Sequence, residues 1–249
     1  MAIVLRNLML RLGHEKFLIQ GGDWGSIIGS NMAALFPDNV LGYHSNMCGN
    51  MGPIGMLKMI MANFMPSLFY EKQHSGFFKP LGEFFAYLME ESGYMHLQAT
   101  KPDTIGTALA HNPVGLATYI LEKFSAWTNS EFKHLPDGGL TKRYTMDALI
   151  DNVMIYYVTN SITTSQRLYA EQFNKEQMGL QMDRVAVKPP TGCARFMHDL
   201  AHSTDCQLKD KFLNLVQSTY YEDGGHFAAM ELPQILYNDF IQFVKKANL

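Results

Sequence analysis

The stretch Phe17–Phe36, FLIQGGDWGSIIGSNMAALF, constrains this chain more than any other. Phe17 to Gln20 are apolar-rich and read as a short strand, while Ser26 to Phe36 carry helical spacing. Between them, Gly21-Gly22-Asp23-Trp24-Gly25 leaves room only for a tight turn. Glycines two positions either side of such an apex remove Cβ atoms that would collide with strand or helix. Gly21 and Gly25 stand in those places, with Asp23 at the apex. This is the pattern of a nucleophile elbow in which aspartate replaces serine, and a carboxylate attacks without a base to deprotonate it. The N-terminus of the new helix favours the anionic form. The same residues also fit a plain strand–helix connection with Asp23 as N-cap.

The chain around this turn has 249 residues, 47% apolar, with net charge −3, which suits one globular domain or a domain plus a lid. So balanced a charge gives no reason to expect nucleic acid. Cys48, Cys193 and Cys206 show no paired or metal-ligand spacing, so neither a disulfide framework nor a zinc site is expected. No window offers the roughly 18 clean apolar residues of a membrane-spanning helix. The most apolar one, Met51 to Tyr70, is broken by Pro53, Lys58 and Pro66.

Ile3 to Leu12 has a helical apolar face, stopped by Gly13. Strand 17–20, the helix to Phe36 and a strand Val40 to Met47 follow. The order α-β-α-β predicts the middle of a parallel sheet covered on both faces, with nothing upstream to supply strands on its other side. From Cys48 to about Met182 the signals are helical. Asn112-Pro113 opens a helix to Phe124, Leu135 to Leu140 is a loop, and Met146 to Tyr169 reads as one long helix. Residues 48–182 are therefore expected as a helical lid inserted into a sheet domain of residues 1–47 and 183–249. The lid's Met, Phe and Tyr content suits an adaptable apolar cavity, although most methionines at helical spacing read as core. Strands resume at Arg184 to Lys188 and Leu215 to Tyr221, and Pro233 to Lys246 closes the chain as an amphipathic helix.

An ester formed on Asp23 needs a base to activate water. His226, in Gly224-Gly225-His226-Phe227, lies just past the last expected strand, whereas the other eight histidines read as helix or loop residues. The order nucleophile, acid, histidine is that of the α/β-hydrolases. The acid that holds the imidazole belongs in the loop after the preceding strand. Asp199 is the best-placed candidate; Asp205 and Asp210 lie further along a polar run. An ordinary surface aspartate is the competing reading of Asp199.

Five segments carry a resemblance: GGDWGS at 21–26, ESGYMHLQATKPDT at 91–104, NPVGLATYILEKFSAWTN at 112–129, SQRLY at 165–169 and GGHFAAMELP at 224–233. Together they resemble the microsomal epoxide hydrolases, and LGYHSNMCGN at 41–50 resembles the insect juvenile hormone branch. The resemblance spans essentially the whole chain. It implies an α/β-hydrolase fold, a parallel sheet with flanking helices and a helical lid, that lacks its N-terminal strands. By the same likeness Asp23 is the nucleophile, His226 the base and Asp199 its acid. Tyr94 and Tyr169 match the pair that hydrogen-bonds the epoxide oxygen; nothing else selects them from twelve tyrosines. The Trp24 backbone N–H supplies one oxyanion donor. No metal or organic cofactor is implied, and the partners are a lipophilic epoxide, juvenile hormone by resemblance, and water.

Two departures from the family pattern stand out. The position of Asp199 usually holds glutamate, one methylene longer. Family members also carry an N-terminal membrane anchor that seats them on the endoplasmic reticulum, the first strands of the sheet, and a His-Gly-Trp-Pro loop completing the oxyanion hole. No histidine here is followed by Gly-x-Pro, and the resemblance implies an N-terminally truncated chain. A haloalkane dehalogenase would share the Asp-Trp-Gly elbow, but the two tyrosines favour an epoxide. A non-catalytic fragment or hormone-binding remnant is the reading from another class.

Overall fold

The computed structural model describes all 249 residues, Met1–Leu249. They form two compact units, one of residues 1–79 and 182–249 and the other of residues 80–181.

The first unit holds four strands, β1 (Phe17–Gly21), β2 (Val40–Ser45), β3 (Thr191–Phe196) and β4 (Leu215–Tyr221), in the order β1-β2-β3-β4. Every neighbouring pair is parallel. Helices α1 (Ala2–Arg11), α2 (Asp23–Leu35) and α3 (Pro53–Phe64) belong to this unit, as do α11 (Asp205–Leu208), α12 (Ala228–Glu231) and α13 (Pro233–Lys246). One core gathers Phe17, Met32, Val40, Tyr43, Cys193 and Phe212, and another gathers Ala194, Phe196, Ala228 and Leu236. All six residues of β3 are buried, as a strand covered on both faces requires. Helix α13 begins with Pro233 and ends with Lys245 and Lys246, a start and finish that suit the helix dipole. It seals the sheet with Phe243, fully buried, a side chain whose burial contributes about 1.5–3 kcal/mol.

The second unit is helical: α4 (Leu81–Glu91), α5 (Gly93–Thr100), α6 (Pro102–Ala110), α7 (Pro113–Thr128), α8 (Met146–Val158), α9 (Ile162–Gln172) and α10 (Lys175–Gly179). Its core gathers Leu109, Leu116, Val153 and Ile162. The Asn112 side chain caps α7 by accepting from the Gly115 N–H at 2.9 Å.

Four features differ from the sequence reading. The unit boundary falls at residue 79 instead of 47, because the segment after β2 stays with the sheet: Asn50 donates to Gln207 O at 2.7 Å and Lys58 pairs with Asp210 at 2.6 Å. The single helix expected over 146–169 is two. Thr159-Asn160-Ser161 interrupts it with Asn160 at φ +49°, a left-handed conformation asparagine tolerates, among side chains that compete for backbone hydrogen bonds.

The alternation Arg184 to Lys188 forms only an isolated bridge, Val187 to Phe212, and the strand is Thr191–Phe196 beyond Pro189-Pro190. Its Thr-Gly-Cys-Ala-Arg run has neither alternation nor strong β propensity, so burial on both faces decides it. Finally, Cys48 and Cys193 form a disulfide, Cα–Cα 5.9 Å, across a sequence separation of 145. The two cysteines meet because Ser45 at the end of β2 is in register with Cys193, which no linear spacing reveals. Cys206 is free.

Candidate active site

β1 ends at Gly21 and α2 begins at Asp23, so the reversal is confined to Gly22. Asp23 pays for the sharpness with φ +48°, in the left-handed region. A Cβ on Gly21 would lie 2.6 Å from the Gly25 carbonyl carbon, and one on Gly22 would strike the Asn46 amide at 2.5 Å. A Cβ on Gly25 meets nothing within 4 Å, so the steric demand sits on the strand side of the turn alone. The helix accordingly starts at the aspartate, three residues earlier than its apolar spacing indicates.

The turn presents Asp23 to His226. Asp23 Oδ2 lies 2.8 Å from His226 Nε2, and Oδ1 accepts the Trp24 backbone N–H at 2.6 Å. On its other side His226 Nδ1 lies 2.7 Å from Asp199 Oδ1. The three side chains come from the β1–α2 turn, the loop after β3 and the loop after β4, and all lie at the carboxyl ends of parallel strands. Exposure separates them: the Asp23 side chain is 37% accessible, against 4% for His226 and 1% for Asp199.

Burial by itself would depress the imidazole's pKa. The hydrogen bonds and charges of Asp199 and Asp23 outweigh it and raise His226 to about 10. Asp23 moves the other way: burial raises it, but the His226 bond and charge and the Trp24 N–H hold it below the usual value. Both shifts favour a protonated imidazole beside an ionised Asp23.

The supporting shell is denser than the sequence indicates. Asp199 Oδ1 also accepts the Leu200 N–H at 2.7 Å, and Lys79 Nζ donates to Asp199 O at 3.2 Å. Arg195 braces the far end of the acid loop, with Nε donating to Ser203 O at 2.8 Å and an Asp205 carboxylate 2.8 Å from Nη2. On the base side, the Glu231 carboxylate accepts the N–H groups of Gly225 and Phe227, each at 2.8 Å. Glu231 stands in the GGHFAAMELP segment, four residues beyond Phe227, where bonds to backbone amides leave no side-chain pattern to read.

In the second unit, Tyr94 on α5 and Tyr169 on α9 meet edge to face with ring centroids 5.8 Å apart. Trp127 packs on Tyr94 at 5.2 Å, and the Lys123 ammonium stands 5.2 Å from the Tyr94 ring centroid. An open groove of about 700 Å³ beside Val114, Ala117 and Leu121 includes neither tyrosine. No cluster of three or more His, Cys, Asp or Glu side chains could hold a metal ion.

The profile of the α/β-hydrolase fold matches residues 1–231. The chain belongs to the α/β-hydrolase fold family. It is 52% identical over 245 residues to juvenile hormone epoxide hydrolase 1 of Ctenocephalides felis, covering 98% of this chain and 53% of the relative. It is 43% identical over 244 residues to epoxide hydrolase 1 of Sus scrofa, covering 98% of this chain and 54% of that protein. The crystal structure of juvenile hormone epoxide hydrolase from the silkworm Bombyx mori superposes with a TM-score of 0.97 at 45% identity, covering 99% of this chain and 58% of that one. The chain thus spans about half the length of the curated relatives it matches. The likeness read from the motifs is the one these comparisons return.

Proposed function

We propose that the protein is an epoxide hydrolase that opens lipophilic epoxides through an ester on Asp23. A carboxylate oxygen of Asp23 attacks an epoxide carbon, the C–O bond of the strained ring breaks, and Tyr94 and Tyr169 donate hydrogen bonds and a proton to the departing oxygen. The imidazolium's proton passes by way of solvent to the phenolate left by alkylation. The neutral His226 then takes a proton from water, and the hydroxide adds to the ester carbonyl. Collapse of that adduct returns the Asp23 carboxylate and releases the diol, which carries off the adduct's hydroxyl proton. The Trp24 N–H, already directed at Asp23 Oδ1, stabilises the oxyanion of that second step. Asp199 fixes the imidazole's tautomer.

The observation that carries this reading is the imidazole held at 2.8 Å from an aspartate at the elbow apex and 2.7 Å from a second, buried one. Its electrostatics set the order of events. While Asp23 is anionic it helps hold His226 protonated; esterification removes that charge, so the imidazole's pKa falls and it becomes a base when one is needed. The relatives' names point to juvenile hormone as the substrate. The family resemblance supports association with the endoplasmic reticulum membrane, and no helix here is long and apolar enough to cross one.

Incubating the intact protein with a lipophilic epoxide should add the substrate's mass to the peptide containing Asp23, and Asp23→Asn should abolish the adduct at early times. Losing one oxyanion donor costs about 2.7–4 kcal/mol in comparable sites, so Tyr94→Phe and Tyr169→Phe should each slow alkylation and the double change nearly stop it. Halide release from a chloroalkane with no epoxide turnover would favour a dehalogenase instead.

A further inference from the structure

Three side chains, Asp23, His226 and Asp199, meet in the constellation, and a fourth, the carboxylate of Glu231, bonds the backbone on each side of one of them. His226 lies between Gly225 and Phe227, and the N–H groups of both neighbours donate to Glu231, to Oε2 and Oε1 respectively, at 2.8 Å each. Glu231 is only 7% exposed. A buried carboxylate is costly unless its oxygens are satisfied, and here both accept backbone donors flanking the histidine. The segment is closed on itself as well. Glu231 N donates to Phe227 O at 2.9 Å, and Gly224 enters at φ +84° where a Cβ would lie 2.7 Å from Phe196 and Leu232. Two bonds on either side of one Cα fix both its position and the tilt of its peptide planes. The imidazole must reach Asp23 and Asp199 simultaneously at 2.8 and 2.7 Å, so the tolerance is a few tenths of an ångström.

We propose that Glu231 is a positioning residue for the base: its bidentate clasp on the Gly225 and Phe227 amides holds His226 in line with Asp23 and Asp199. This rests on the ester mechanism above, in which His226 serves ester hydrolysis and not alkylation. Loss of the clasp therefore falls on the second step. A displacement of about 1 Å in a catalytic group lowers its rate about 10²-fold.

The test compares wild type, Glu231→Gln and Glu231→Asp in the intact protein. It measures alkylation of Asp23 and ester hydrolysis separately in single turnovers, and the titration of the His226 imidazole by NMR. Glutamine offers one acceptor and points an NH2 group at an N–H, whereas aspartate keeps both acceptors on a shorter arm. E231Q is expected to alkylate at nearly the wild-type rate, hydrolyse the ester about 10²-fold more slowly and accumulate it. E231D should fall between the two. The His226 titration should drop toward its ordinary range in E231Q as the imidazole loses alignment with its two carboxylates.

Hydrolysis at the wild-type rate in E231Q, or a proportional loss of both steps with an unchanged titration, overturns the proposal. If E231Q does not fold, E231D decides by the same criteria. If even wild type forms no ester, the mechanism fails, and the titration alone still judges the clasp: lowered in the variant supports it, unchanged overturns it.

Discussion

The first unit contains two buried histidine–aspartate pairs, and their surroundings are opposite. His226–Asp199 and His44–Asp239 have nearly the same separation, 2.7 and 2.8 Å. His44 and Asp239 are wholly inaccessible, wedged between the sheet and α13. Asp239 there is saturated: besides His44 it accepts Gln217 Nε2 at 2.8 Å, Thr219 Oγ1 at 2.6 Å and Tyr221 OH at 2.6 Å. Rings of Phe240 and Phe243 pack on His44, and its Nδ1 is buried without a hydrogen-bond partner. The second nitrogen of His226 instead faces a part-exposed carboxylate at a strained apex. On the proposed mechanism, the dyad alone is thus not what makes a catalytic site. What the other ring nitrogen meets, and whether a reactant can reach it, separates chemistry from packing.

The largest effect that could break this contrast comes from changing each histidine. His226→Gln should slow ester hydrolysis about 10²–10⁴-fold, the contribution of a general base, and leave a trapped ester on Asp23. His44→Gln should leave both steps near the wild-type rate and lower the melting temperature. Loss of hydrolysis in a well-folded His44→Gln protein would show the two pairs to be coupled.

Changing the aspartates moves stability. Asp239→Asn leaves His44 and several donors facing a poorer acceptor in the core, and breaking a buried pair costs about 3–5 kcal/mol. At this chain length that is a drop of roughly 6–20 °C in a thermal melt. Asp199→Asn should cost less stability, because His226 keeps its bond to the Asp23 carboxylate, and far more turnover. Equal melting losses would erase the distinction.

The disulfide ties the two regions together, joining the chain just after β2, which carries His44, to β3, whose following loop carries Asp199. Cys48→Ser with Cys193→Ser should destabilise the fold by about 2–4 kcal/mol without altering the ratio of the two catalytic steps. A changed ratio at unchanged stability would mean that the bridge serves the site.

The smallest effect is in pH. The raised pKa of His226 makes its contribution to stability complete below about 6.5, the unfolded value, and lost as pH rises through about 10. The hydrogen bonds from His44, Thr219 and Tyr221 overcome burial and lower Asp239, so its contribution is present above the ordinary carboxylate range and lost as pH falls. Melting temperature against pH should therefore lose its alkaline slope in His226→Gln and part of its acid slope in Asp239→Asn. Swapped slopes would refute the assignment.

Much of this was legible in the sequence where local chemistry is strong. The elbow glycines, the Asn112 cap, the strand 215–221 and the helix 233–246 each follow from patterns a few residues long. The candidate residues were legible too, and the structure brings Asp23, His226 and Asp199 together. Hidden were features that exist only after strands align. β3 lacks alternation because both of its faces are buried. The disulfide depends on register between β2 and β3. His44 lies in β2, inside the strand expected over 40–47, but its partner Asp239 stands 195 residues away. Glu231 lay within a quoted motif, yet its bond to two backbone amides has no side-chain signature.

The most direct test of the ester mechanism follows one oxygen atom. In a single turnover with enzyme in excess, run in water enriched in ¹⁸O, the hydroxide prepared by His226 adds to the Asp23 carbonyl carbon. The bond that then breaks lies between that carbon and the oxygen bound to the product. The diol therefore leaves with an oxygen that began on Asp23, and the solvent oxygen stays on the enzyme. The mechanism predicts an unlabelled diol and one ¹⁸O on the peptide containing Asp23. Label in the diol of the first turnover, with none on that peptide, would mean that water attacks the epoxide directly and that Asp23 is not the nucleophile.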